Sequence, residues 1–233
     1  MARIQIVTGH YGSGKTEYAV NLALSLAAPG KKTALADLDI VNPYFRSYEQ
    51  SALLEKAGVR VIVTSCGGVA DIPAIDPAVL SIFQNEDVTG VLDIGGDPIG
   101  ARVLARFAPE LNKADFDLLY VLNANRPETR DLESAEAYLR AIESQCLQKV
   151  TGIVNNTHLC GETTLEEVLK GAHLAEELSR KTGLPIVHHA VTRPFASQAA
   201  ELLADPVFPM NLYMKKPWEM NFCEEESSIW PES

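Results

Sequence analysis

Eight consecutive residues, Gly9-His10-Tyr11-Gly12-Ser13-Gly14-Lys15-Thr16, satisfy the pattern G-x-x-x-x-G-K-[ST] in full. That pattern suits one kind of chemistry, the grip of a polyphosphate. Gly12 and Gly14 let successive backbone N–H groups curl toward phosphate oxygens, and a following helix adds partial positive charge at its first turn. Lys15 brings a full charge to the β- and γ-phosphates, and the hydroxyl of Thr16 is placed for Mg²⁺. Gly9, His10 and Ser13 complete the loop. The flanks agree, since the β-branched run Ile4–Thr8 precedes it and Ala19, Leu22, Ala23 and Leu26 follow at helical spacing. The ligand implied is a nucleoside triphosphate. Kinases, GTPases, ligases and motor ATPases all share this loop, so the reaction has to be read from the other strand ends.

Two of those ends carry carboxylates. One run closes as Asp37-Leu38-Asp39, and acids so spaced suit either a Mg²⁺ ion with an attacking water or an ordinary solvated loop. The other reads Val91-Leu92-Asp93-Ile94-Gly95-Gly96-Asp97. An apolar strand closing on Asp with glycine three residues later has the Walker B layout. Asp93 is expected to hold Mg²⁺ through water, and the Gly96 N–H to approach the γ-phosphate. Gly95-Gly96 is also a natural hinge for a segment that senses that phosphate.

Strands must bring these ends together. Candidates are Ile4–Thr8, Thr33–Asp37, Val59–Val63, Val88–Ile94, Leu118–Asn123, Thr151–Asn155 and Ile186–Val191, alternating with helical patterns. Several are apolar on both faces, as a covered parallel sheet requires. Asp97-Pro98 reads as an N-cap with proline at the first helical position, Thr163-x-x-Glu166 has capping-box spacing, and Gly183-Leu184-Pro185 ends a helix. The fold class expected is α/β: a single doubly wound, mostly parallel sheet with helices on both faces. Residues 1–204 are assigned to this nucleotide-binding domain, and 205–233, with Pro206, Pro209, Pro217 and Pro231, to an irregular acidic tail.

The formal charge of −11 argues against nucleic acid or anionic membrane as a partner. Residues 219–233 hold five glutamates and no base, which opposes a basic amphipathic membrane anchor there. Cys66, Cys146, Cys160 and Cys223 form no C-x-x-C pair and read as incidental thiols. With no signal-peptide pattern at the start, the expected location is cytoplasmic.

Taken in order, G-x-x-x-x-G-K-T, D-x-D and D-x-x-G-G resemble the MinD/ParA/CobQ-type ATPases, which include the nitrogenase iron protein and the arsenite-pump ATPases. Val121-Leu122-Asn123-Ala124-Asn125-Arg126-Pro127-Glu128-Thr129-Arg130-Asp131 is similar to that family's strand-end pattern around a Pro-Glu followed by Arg-Asp. The resemblance implies a Mg²⁺-dependent ATPase acting as a nucleotide-controlled switch, with a nucleotide-dependent homodimer and a protein client. It implies that Asp39 orients the hydrolytic water and that Asp37 supports the metal with Asp93. It also implies that Asn155 or Asn156 recognises the base, helped by Thr192-Arg193-Pro194. Guanine recognition normally uses N-K-x-D, and Asn155-Asn156-Thr157-His158 lacks the lysine and the aspartate, so ATP is expected. Many members carry a second lysine where this chain has His10. Here either His10 simply packs beside Tyr11, or charge at that point is weaker or comes from Arg46 or Arg126. Two other readings are an ATP-dependent ligase of the dethiobiotin-synthetase/cobyrinate-amidase class, and a metal-cofactor maturation ATPase using Cys66 and Cys160.

Overall fold

The computed structural model describes residues 1–27, 30–39, 47–63 and 77–214. Arg46, Cys66, Cys223 and the chain from 215 onward, with most of the acidic tail, lie outside the described residues.

Eight strands form one sheet: β1 (Ile4–Gly9), β2 (Lys32–Leu38), β3 (Val59–Val63), β4 (Val88–Ile94), β5 (Phe116–Leu122), β6 (Gly152–Asn155), β7 (Ile186–Thr192) and β8 (Val207–Met210). Their order is β3-β2-β4-β1-β5-β6-β7-β8, and every pairing is parallel. The chain builds outward from β1 on one side and returns past it to build the other, so the loop after β1 leaves at the point where strand order reverses. In open parallel sheets that crevice is where ligands sit.

The expected double-sided burial is present. Along β5, Leu118, Tyr120 and Leu122 enter one apolar layer, and Leu119 and Val121 enter the other. The second layer is filled by helix α1 (Lys15–Leu26) and α2 (Ser51–Lys56), and the first by α3 (Pro77–Gln84), α4 (Pro98–Ala105), α5 (Ala108–Leu111), α6 (Leu132–Cys146) and α7 (Leu165–Thr182). A further helix, α8 (Arg193–Leu202), follows β7.

Register aligns the chemistry. Asp37 on β2 lies directly across from Asp93 on β4, which lies across from Val7 on β1. Side chains alternate along a strand, so residues 7, 37 and 93 share the α1 face. Asp97 caps α4, accepting from the Gly100 N–H, with Pro98 behind it as expected. The cap of α7 falls one residue later than the sequence spacing suggests: Thr164 accepts from Glu167 N–H, whereas Thr163 donates its hydroxyl to Cys160 C=O. The boundary at 204 also needs correcting, because Val207–Met210 adds a strand beside β7. Prolines at 206 and 209 hide it from a period-2 reading, yet an edge strand tolerates a residue with no N–H to donate.

Candidate functional site

The loop from β1 to α1 turns through Gly12 and Gly14, whose φ angles of 76° and 79° lie in the left-handed region. Gly14 stands at the N-cap of α1 and, as glycine, brings no side chain to accept from the first-turn amides. These are the donors that a helix terminus offers an anion. The loop carbonyls are instead tied outward. Gly12 C=O accepts from Arg126 Nε at 2.8 Å and Asn123 Nδ2 at 3.4 Å, and Ser13 C=O from Asn156 Nδ2 at 2.8 Å. Within the loop itself the Ser13 N–H donates to His10 C=O at 2.9 Å.

His10 does not rest on Tyr11, which is 56% exposed. It meets the edge of the Tyr138 ring at a centroid distance of 4.9 Å, with Nε2 3.4 Å from Glu128 Oε2. Tyr138 also donates its hydroxyl to Gly96 C=O at 2.5 Å, so one α6 residue touches both the phosphate loop and the segment after β4. A Cβ at Gly96 would stand 2.7 Å from Gly9 C=O and 3.0 Å from Tyr11 N. Those neighbours are backbone and cannot swing away. Gly96→Ala is therefore expected to weaken triphosphate binding by about tenfold or more, the equivalent of a ~1–3 kcal/mol overpacking cost, as read by titration calorimetry.

Beneath the loop lie three buried carboxylates and one amine. Lys15 Nζ is 2.8 Å from Asp39 Oδ2, with both side chains at most 6% exposed. Asp37 Oδ1 accepts from the Asp39 N–H at 3.2 Å. Burial works against the charge on Lys15, but Asp93, Asp39 and Asp37 outweigh it and its pKa rises. Asp93 is 1% exposed, and burial, with Asp37 and Asp39 adding to it, pushes its carboxyl up to about 7 against the pull of Lys15 and Thr16. Although the Thr16 hydroxyl acts on it, neither Asp93 oxygen completes a hydrogen bond among the described residues. An orphaned buried carboxylate beside a hydroxyl fits a hydrated Mg²⁺, an ion that keeps several waters and needs few protein ligands. Among the described residues no three His, Cys, Asp or Glu side chains converge to hold a metal unaided.

This carboxyl gives stability a sign with pH. A folded-state pKa above the unfolded one means that the native state binds more protons between the two values. Stability from Asp93 is therefore full below about pH 4 and lost as pH rises through about 7. Thermal melts of nucleotide-free protein should show this contribution fading from pH 5 to pH 8, and Asp93→Asn should flatten the dependence.

The two asparagines at the end of β6 separate. Asn155 is fully buried: its Nδ2 donates to Val168 C=O and meets His189 Nδ1, both at 3.2 Å, and its Oδ1 accepts from Thr157 N–H. Asn156 holds the phosphate loop, and neither amide is open to a base. His158 lies against Gly14, and burial, with Arg126 nearby, pushes its ring down to about 4, so it is neutral at pH 7. Beyond it opens a cleft of about 340 Å³ lined by Cys160, Gly161, Thr163, Thr192–Phe195 and Met210–Leu212. Arg193, singled out in the sequence, stands there with Nε bonded to Asn211 Oδ1 at 3.0 Å. Tyr138 and Asn211 were not apparent from the sequence, whereas Asn123 belongs to the strand-end pattern that was. Only Asn123, closing an apolar strand, carries a local signal.

No known family and no curated protein matches this chain. Among solved structures it is similar to FtsY from Thermotoga maritima, at 23% identity and a TM-score of 0.54, over 79% of this chain and 59% of that one. The signal recognition particle receptor FtsY from Elizabethkingia anophelis, solved in complex with GDP, matches at 20% identity and TM-score 0.53, over 80% and 56%. Chloroplast FtsY from Physcomitrella patens matches at 20% and 0.52, over 78% and 56%. The chain thus spans a little over half the length of these proteins. At such identity the likeness is one of fold: an α/β architecture of the P-loop type with a parallel sheet flanked by helices.

Proposed function

We propose that the protein binds Mg·ATP in the loop after β1 and hydrolyses it as a nucleotide-controlled switch of the MinD/ParA/CobQ type. The observation that carries this reading is the convergence of Lys15, Thr16, Asp37, Asp39 and Asp93 at the glycine loop that opens α1.

Thr16, with Asp37 and Asp93 acting through water, would hold Mg²⁺, which when bound neutralises phosphate charge and polarises the terminal phosphoryl group. Lys15 exchanges its Asp39 partner for phosphate oxygens. Asp39, so released, would orient the attacking water. Gly96, wedged against the loop and latched by Tyr138, is the contact through which the presence of that phosphate reaches α4 and α6. Such a switch implies a protein client, and a second copy of this chain as its nucleotide-dependent partner.

Adenine is favoured by the cleft. Among the described residues, its lining includes no carboxylate to accept from the N1–H and exocyclic amine of guanine. Isothermal titration with Mg·ATP and Mg·GTP, followed by phosphate release, tests the reading. The expected result is preferential ATP binding with slow turnover, and absence of ATP affinity in the full chain overturns it.

A further inference from the structure

The segment after β8 is fastened to the phosphate-loop helix by side chains that the proposed chemistry does not use. Asn21, 6% exposed in the middle of α1, pairs with the backbone of Asn211 in both directions: Nδ2 donates to Asn211 C=O and Oδ1 accepts from Asn211 N–H, each at 2.9 Å. One turn earlier Glu17 accepts from Tyr213 N–H at 2.8 Å and Met214 N–H at 3.0 Å with its two carboxylate oxygens. Residues four apart lie on one helix face, so the two side chains form a short rail along which residues 211–214 run. Gln50 Nε2 adds a bond to Tyr213 C=O from the other side, and Tyr213 and Met214 pack onto the α1-side core.

The far face of this strap looks into the cleft. Met210, Asn211 and Leu212 are part of its wall, and Asn211 is the partner of Arg193 while donating its own amide to Tyr213 Oη. The rail residue Glu17 follows directly on Lys15 and Thr16, so one helix carries the phosphate grip at its first residues and the support of the cleft wall within the next two turns.

Resting on the reading of the cleft as the base site, we infer that residues 210–212 are a specificity wall for the nucleoside, and that Glu17 and Asn21, through their hold on residues 211, 213 and 214, are positioning residues that set it. A nucleotide then touches α1 twice, directly through phosphate at its first residues and indirectly through the strap within the next two turns. A bare polyphosphate touches only the first.

Titration of the full chain with Mg·ATP and with Mg·tripolyphosphate separates these contacts. Asn21→Ala, which removes two hydrogen bonds to the strap, is expected to weaken Mg·ATP about tenfold while leaving tripolyphosphate within about twofold. Glu17→Gln, which keeps the shape of the rail but turns one acceptor into a donor facing an N–H, should act in the same direction and carries the test if Asn21→Ala fails to fold. Equal losses for both ligands, or no loss for either in a variant with native circular dichroism, overturn the inference and leave the ATP reading standing. A wild-type chain that binds tripolyphosphate but no nucleotide removes both.

Discussion

Lys15→Ala is expected to lower Mg·ATP affinity at least about a hundredfold, since it removes a charge-assisted contact to phosphate in a site shielded from water. It has a second consequence that an exposed lysine would not have. Asp37, Asp39 and Asp93 are each at most 3% exposed, and Lys15 is the cation set among them. Removing one partner of a buried pair costs about 3–5 kcal/mol when the other stays charged. Asp93, whose carboxyl burial already pushes up to about 7, can escape that cost by taking up a proton, so the loss of melting temperature should be large at pH 8 and smaller at pH 5. Calorimetric titration and melts at the two pH values check both halves. A variant that binds Mg·ATP as the wild type does removes the phosphate loop from the proposed chemistry.

The site was legible where its chemistry is local. The glycine spacing of 9–16, the apolar runs that end on Asp37 and Asp93, and the double-sided strands are all contiguous patterns, and strands Val59–Val63 and Val88–Ile94 lie where those patterns put them. Facing direction was harder to read, although it follows from the same pleat. Ile153 enters the layer away from α1 and Val154 the layer beside it, so Asn155 must turn toward α7 and Asn156 toward the phosphate loop. The motif resemblance treated the two as interchangeable, but alternation makes them opposites. The contacts that tie loop carbonyls to Asn123 and Arg126, or the strap to Asn21, join residues more than a hundred positions apart. No spacing along the chain encodes such a distance. The strand β8 was obscured for a different reason, because its prolines are forbidden in a central strand and harmless at an edge.

Asp39→Asn is expected to separate binding from turnover. In the nucleotide-free protein Asp39 occupies the Lys15 amine that a phosphate needs, at 2.8 Å in a buried pair. A ligand must therefore break this pair before it gains its own contact, and it must do so beside three buried carboxyl groups. The asparagine keeps the shape, weakens the hold on Lys15 and removes one of those carboxyls. Mg·ATP affinity should stay level or rise several-fold, whereas phosphate release should fall at least about a hundredfold, the scale set by loss of a positioned base or water-orienting group. Lys15 does not become an unpaired buried cation, since Asp37 and Asp93 still act on it, and the melting temperature should change less than in Lys15→Ala. The opposite pattern is equally informative. Weaker binding with unchanged turnover per bound nucleotide would mean that the ion pair builds the site and takes no part in hydrolysis, and the water-orienting role would pass from Asp39 to another group.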